Sequence, residues 1–314
     1  MDAEGVGAGR VGLSDVRRVD ETIRRLRAVD HRFGGGSCRE AVLAELSNAR
    51  RMFAATAPDA VQTRLCKAVA DLHNLAGWTC FDTGQAKAAL AHFTQALELA
   101  TSVGARDLTA NIHYRIGRVR LHHNDSAQAL TDFQRGERVA RDSHATLATS
   151  LLLANQAWAH ATLGQADGAL CLLGQAADAF EQATPAVVPS WLAFYDRIDL
   201  SGLTGVIYTE LAQRVDTSYT SFAIPPLTAA VAGYGEARTR SRALSLTALA
   251  INHFIDGDAD RGAKTGTQAL DIAARLKSPR TLERMRPLRN EAHRHHHNRD
   301  VRDLIDRMDS LTSR

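Results

Sequence analysis

The sequence predicts an all-α fold, a right-handed α-solenoid of about five to six helix pairs. Three observations predict it. Gly84, Asn124 and Gly164 stand 40 residues apart, and each is followed at the same offsets by a small and then a large apolar residue: Ala89 and Phe93, Ala129 and Phe133, Ala169 and Leu173. The apolar residues of these segments recur at helical spacing, as in Ala89, Phe93, Ala96 and Leu97. No run of alternating β-branched residues marks a strand in the 314 residues.

The repeated residues have physical reasons. A helix stops cheaply where φ turns positive, which Gly84 and Gly164 permit and Asn124 tolerates. Seven residues before them, Gly77, Gly117 and Ala157 let one helix approach its partner closely, and Phe93 or Phe133 fills the space. This is the logic of a tetratricopeptide (TPR) unit, whose pattern includes L-G-x2-Y and then A-x3-F. Gly77, Ala89 and Phe93 fit it, while His73, Ala76 and Cys80 depart from its Trp, Leu and Tyr. The period exceeds the usual TPR length of about 34 residues, so each helix is expected to carry roughly an extra turn.

Taken in order, residues 1–13 read as a flexible tail and residues 14–314 as one helical repeat domain. A first helix spans 14–31, with Ser14 as N-cap and Val16, Val19, Ile23, Leu26 and Val29 as its apolar stripe. Gly34, Gly35 and Gly36 break the chain before a second helix, Ser37 to about Ala55; this atypical first pair places Glu45 where Phe93 stands. A helix over 59–82 leads into the three regular units, completed by 106–123, 126–142, 145–163 and 166–183. Pro185 and Pro189 mark 184–190 as a linker. A long helix, Trp191 to about Arg214, a loop at 215–222, and a second helix carrying Ala223, Leu227 and Ala230 form an irregular fourth unit, about 184–235. Pro225 and Pro226 place that second helix's first turn at their position. The register returns at Gly257, with Ala250 and Ala269 in the positions of Gly77 and Ala96. Residues 278–314 form a final helix pair that caps the solenoid.

Composition excludes several classes. The net charge of +3 is too small to imply nucleic acid. Four scattered cysteines with no C-x-x-C pair favour reduced thiols. No apolar run is long enough to cross a membrane and the N-terminus has no signal-peptide core, so a cytoplasmic protein is expected. The Gly34–Gly36 triplet lacks the strand and Gly-Lys-Ser/Thr of a phosphate loop, and Gly257, Gly262 and Lys264 miss the P-loop spacing by one residue. Neither predicts a nucleotide, and no cofactor is expected. His293, His295, His296 and His297 have no accompanying carboxylate motif, so no metal is expected. Residues 277–314 hold ten Lys or Arg against six acidic residues, which reads as a solvated helical cap with i, i+4 ion pairs.

One stretch carries a family resemblance. RSRALSLTALAINHFIDGDADRGAKTGTQALDIAARLKSPRTLERMRPL resembles the C-terminal end of the TPR sensor region in actinobacterial helix-turn-helix (XRE-type) transcriptional regulators. DHRFGGGSCREAV and LAGWTCFDTGQAKAALAHFTQALELA resemble the start of that region. The resemblance covers about Val11 to Met308. Only about a dozen residues precede the first helix, so the family's DNA-binding domain is not expected here, nor is sequence-specific DNA binding by this chain alone. What the resemblance implies is a sensor or partner-binding role in regulation, with a short peptide in the concave groove.

The candidate groove is read from repeat position. Trp78, Arg118 and Trp158 occupy one position of the repeat, 40 residues apart, on the first helices that line the concave side. Asn74, Asn111 and Tyr114 join them. Asn satisfies both polar groups of a peptide backbone, Arg grips a carboxylate, and Trp, Tyr and Arg are common anchors. Both tryptophans also suit a core position between helices. Asp196 and Asp199, three residues apart, fit a solvated face or the same groove. No Ser-His-Asp or Cys-His spacing supports catalysis. The favoured reading is therefore a non-enzymatic regulatory protein that binds a peptide, a small ligand or a partner protein, with an oligomer compatible. The alternative is a helical-scaffold enzyme or an accessory protein of a biosynthetic pathway.

Overall fold

The structure, a computed structural model, describes residues 10–53, 55–184, 188–189, 191–276 and 278–312. Residues 1–9 of the expected tail, and Pro185 of the expected linker, lie outside them. The described residues form no strand and fold into six consecutive helix pairs and a cap. The pairs are α1 (Leu13–Phe33) with α2 (Arg39–Met52), α3 (Asp59–Asp82) with α4 (Ala86–Ser102), α5 (Arg106–His122) with α6 (Ser126–Asp142), α7 (Thr146–Thr162) with α8 (Ala166–Glu181), α9 (Arg197–Arg214) with α10 (Thr220–Gly233), and α11 (Thr239–Ile255) with α12 (Ala259–Ala273). The cap is α13 (Pro279–Glu283), α14 (Arg286–His293) and α15 (Arg299–Thr312), three helices where a single pair was expected. This is the all-α, TPR-like solenoid that the sequence predicts.

The repeat residues sit where their chemistry asks. Gly84, Gly164 and Gly257 turn the chain at φ of 78°, 72° and 84°, and Asn124 does so at 61°. Ala89, Phe93, Ala129 and Phe133 are fully buried between helices. At Gly117 an added Cβ would lie 2.4 Å from the Phe133 ring, so the glycine makes room for the phenylalanine.

Local chemistry corrects several boundaries. The fourth unit's long helix does not begin at Trp191. Asp196 accepts from the N–H groups of Ile198 and Asp199 and starts α9 at Arg197. α1 begins at Leu13, with Asp15 accepting from the Gly12 N–H in place of a Ser14 cap. α10 begins at Thr220, so Pro225 and Pro226 lie inside it, past the first turn. The two carbonyls they leave without i+4 donors belong to Ser221 and Phe222, which are exposed to water. Ser201 donates to the Pro226 carbonyl at 2.9 Å.

First and second helices of a pair are buried to very different degrees. In α7, 13 of 17 residues are buried, from Ala148 to Ala161, whereas α8 buries only Ala169, Leu173 and Ala176. A second helix needs only one apolar stripe toward its partner. A first helix so enclosed has something on its concave side as well. What closes that side is the end of the chain, because α13 packs on α3 and α11 packs on α1.

Candidate functional site

Asp82, at the last position of α3, is fully buried and holds that closure together. Its carboxylate accepts from the Gly35 N–H at 2.7 Å, the Ser278 hydroxyl at 2.8 Å, Arg240 at 3.1 Å and Arg280 Nε at 3.1 Å. Arg240 also donates to the Asp30 carbonyl at 3.0 Å. Burial works to raise the Asp82 carboxyl, but Arg240, Arg280 and the Gly35 and Ser278 donors outweigh it and hold it below the usual carboxylate range. A second bridge on the same side joins His122 to Glu283 at 2.9 Å.

Behind that closure the superhelix holds two adjoining cavities, each partly open to solvent. The inner one, about 180 Å³, is bordered by Trp78, Tyr114, Arg118 and Trp158 together with Trp191 and Phe194. The outer one, about 720 Å³, shares Arg118, Trp158, Arg280 and Arg284 with it and runs out past the exposed Arg286, Asn290 and Arg294. All three tryptophans of the chain therefore line the inner chamber.

Of the six residues read from repeat position, the structure brings four together. Trp78, Tyr114, Arg118 and Trp158 share the inner wall. Asn74 and Asn111 do not reach it. Both are fully buried, and Asn74 donates its amide to Asn111 across the α3–α5 contact at 2.6 Å. They face the neighbouring first helix, where their amides tie consecutive repeats. The groove face is set by Trp78 and Arg118, four and seven residues further on.

The tryptophans are neither bare ligand platforms nor simple core. Arg115 and Arg280 lie 5.1 and 4.9 Å from the Trp78 ring, and Arg118 and Arg284 lie 4.2 and 4.6 Å from Trp158. Cation–π contact holds each guanidinium where water is scarce. Arg280 is neutralised by Asp82. Arg115 donates instead to the Asn74 carbonyl and Arg118 to the Asn155 amide oxygen, and Arg284 stacks on its ring with Glu210 attracting it from further off. Among the described residues no carboxylate lies within ion-pair distance of these three. Burial, then Arg27, lowers Arg115 to about 10. Burial, with Arg280 beside it, lowers Arg118 to about 10, and burial followed by Arg118 and Arg280 lowers Arg284 to about 9. The chamber thus gathers several guanidinium groups that its acids, Asp30, Asp199 and Glu210, offset only from a distance.

Sequence reading placed none of Arg115, Arg240, Arg280 and Arg284 here. The cap is not simply a solvated helix, for Arg280 is buried against Asp82 and Arg284 borders both cavities. Asp199 lines the inner chamber while Asp196 caps α9, and both pair with Arg238. Burial drives Asp199 up to about 7. In the histidine tract His295 stacks on Phe254 and bonds its carbonyl at 2.9 Å. Among the described residues no group of three or more His, Cys, Asp or Glu is placed to hold a metal.

Acid lability follows from the histidines. Burial lowers His31, His73, His113 and His122 to about 4, below the 6.5 of a free imidazole. A depressed folded pKa means the unfolded chain binds more protons between those values, so stability is lost as pH falls from 6.5 toward 4. Each histidine is expected to withdraw on the order of 1 kcal/mol or more, read as falling urea midpoints between pH 7 and 5. Asp199 has the opposite sign, since its raised pKa adds stability as pH falls through 7. Asp199→Asn is therefore expected to steepen the acid loss. A flat or rising profile would contradict these placements.

Comparison with known proteins agrees with the repeat reading. The tetratricopeptide repeat family model matches residues 68–142. That stretch is a TPR region. A crystal structure of BtubC (BKLC) from P. vanneervenii is similar, with a TM-score of 0.50 and 14% identity over 75% of this chain and 89% of that one. At that identity the likeness is one of fold. No curated protein matches the chain. Among the described residues no helix is long and apolar enough to cross a membrane.

Proposed function

We propose that this chain is a non-enzymatic regulatory binding protein whose closed TPR-like solenoid takes an acidic ligand: a peptide, a small molecule or a segment of a partner protein. One observation carries the reading. Arg115, Arg118 and Arg284 line the cavities, and among the described residues none of them has a carboxylate within ion-pair distance, the acids of the same walls (Asp30, Asp199 and Glu210) standing further off. Buried charge without a counter-ion is costly, and an anion relieves the cost. The role in transcriptional regulation rests on the resemblance of Asp30–Val42, Leu75–Ala100 and Arg240–Leu288 to regulator sensor regions. TPR arrays are interaction scaffolds, which fits a partner as the downstream element. The four cysteines form no disulfide, which suits the cytoplasm.

Asp199 is the observation on the side of an enzyme, since it holds a near-neutral carboxyl in the inner chamber. A carboxylate held in an ion pair is a weaker base than a free one. Both Asp199 oxygens are engaged, one by the Tyr234 hydroxyl at 3.3 Å and the other by Arg238 at 2.6 Å. The binding reading is the stronger one.

The test is native purification from the host followed by mass spectrometry, run in parallel on Arg118→Ala/Arg284→Ala. The expected result is an acidic species at near-stoichiometric occupancy in the native protein and its loss in the double variant. Identical spectra would contradict the reading.

A further inference from the structure

The ligand class can be narrowed from the closure and the charge distribution. This step rests on the reading of the cavities as a binding site. We infer that the ligand is a small organic carboxylate, its acidic group seated between Arg118 and Arg284 and its apolar body turned into the chamber of Trp191, Phe194 and Leu203. Three observations lead there.

The first is closure. An extended peptide lies along an open groove and leaves at both ends. Here the Asp82, Arg240 and Arg280 contacts join the second repeat to the sixth pair and the cap, so the concave side is an interior space. The second is size. The inner chamber of about 180 Å³ is below the range of about 300–1,000 Å³ typical of ligand pockets, so it suits a short apolar body rather than a run of residues. The third is the arrangement of charge. Arg118 and Arg284 share the Trp158 ring at the junction of the two cavities, and both border each cavity. A guanidinium meets a carboxylate with two parallel N–H donors, and the indole holds each one in place. Beyond the junction one side of the wall is apolar, built from Trp191, Phe194, Leu203 and Val206, while Asp199 and Arg238 pair with each other on the same chamber's lining. The apolar side carries one more donor, since Trp191, itself 5% exposed, has an indole N–H without a partner among the described residues. The outer cavity supplies the way in; at its edge Arg214 and Arg294 pair with Glu210 and Glu291, and the exposed Arg286 has no ion pair among the described residues.

The experiment uses the chain's own tryptophans, since all three line the chamber. Their emission is followed while 4-phenylbutyrate or octanoate is titrated into the full chain. The uncharged primary amides of both acids, and an acidic ten-residue peptide, serve as comparisons. Saturable change is expected with at least one acid, and its amide should bind at least about tenfold more weakly, the loss of a charge-assisted contact. Arg118→Gln and Arg284→Gln should each weaken the acid by about tenfold and leave the amide unchanged. Without ligand, Arg284→Gln should not melt lower than the native chain, because its guanidinium has no hydrogen bond or ion pair to lose among the described residues, whereas Arg118→Gln also gives up the Asn155 contact. That separates a ligand contact from a structural one.

Equal binding of acid and amide would overturn the inference, as would variants that bind the acid like the native protein. Tighter binding of the peptide than of either acid would overturn the ligand class and leave the binding cavity standing. No saturable change with acids or peptide would remove both.

Discussion

Asp82→Ala is expected to destabilise the protein by about 3–5 kcal/mol and to open the superhelix. The carboxylate is fully buried and meets four donors from three separate parts of the chain. Its removal strands Arg280 without a counter-ion and leaves Arg240 with Asp30 alone. Removing one partner of a buried pair costs more than the pair itself contributes, because the surviving charge stays out of water. The loss should appear as a lower urea midpoint, faster amide exchange in α13, and a larger radius of gyration by small-angle scattering. Asp82→Asn keeps the shape without the charge and should fall between. Because the folded-state pKa is depressed, this contribution is present above the unfolded value near 4 and is lost only as pH falls below it. An unchanged midpoint in Asp82→Ala would show that the chain ends do not depend on this contact.

Phe133→Ala should cost a similar amount, about 3–5 kcal/mol, by a different mechanism. The ring is fully buried in the middle of the array and lies over Gly117 with no room to spare. Truncation leaves a cavity that α5 and α6, fixed by neighbours on both sides, cannot collapse. The converse change, Gly117→Ala, brings a methyl 2.4 Å from the ring and should cost about 1–3 kcal/mol or more through overpacking. Combining Gly117→Ala with Phe133→Leu should recover part of the loss, since the two residues share one space. Strict additivity of the two variants in urea melts would contradict their contact.

These two residues also show what a sequence can carry. Phe133 and Gly117 were legible because a repeat states the same local packing three times, and a helix–helix contact within one unit spans few residues. Asp82 was not legible in the same way. Its partners Arg240 and Arg280 lie 158 and 198 residues away, outside any repeat period. One local signal does exist: an acidic residue in the last turn of a helix opposes the helix dipole and asks for a compensating cation. The site divides along the same line. Trp78, Arg118 and Trp158 follow from the 40-residue register. Arg284, their partner across the junction, comes from a cap whose charge pattern reads as solvated. Asn74 and Asn111 fail for another reason. In a closed array the first helices are wrapped on nearly every side, and a shift of one helical turn separates the cavity wall from the contact with the next repeat.

The most direct test of the account is a crystal structure of the native chain grown with 4-phenylbutyrate. The account predicts carboxylate density within hydrogen-bond distance of Arg118 and Arg284, the phenyl ring against Phe194 and Trp191, and Asp82 still bound to Arg240 and Arg280. An empty chamber with the ligand elsewhere, or a superhelix open at Asp82, would contradict it.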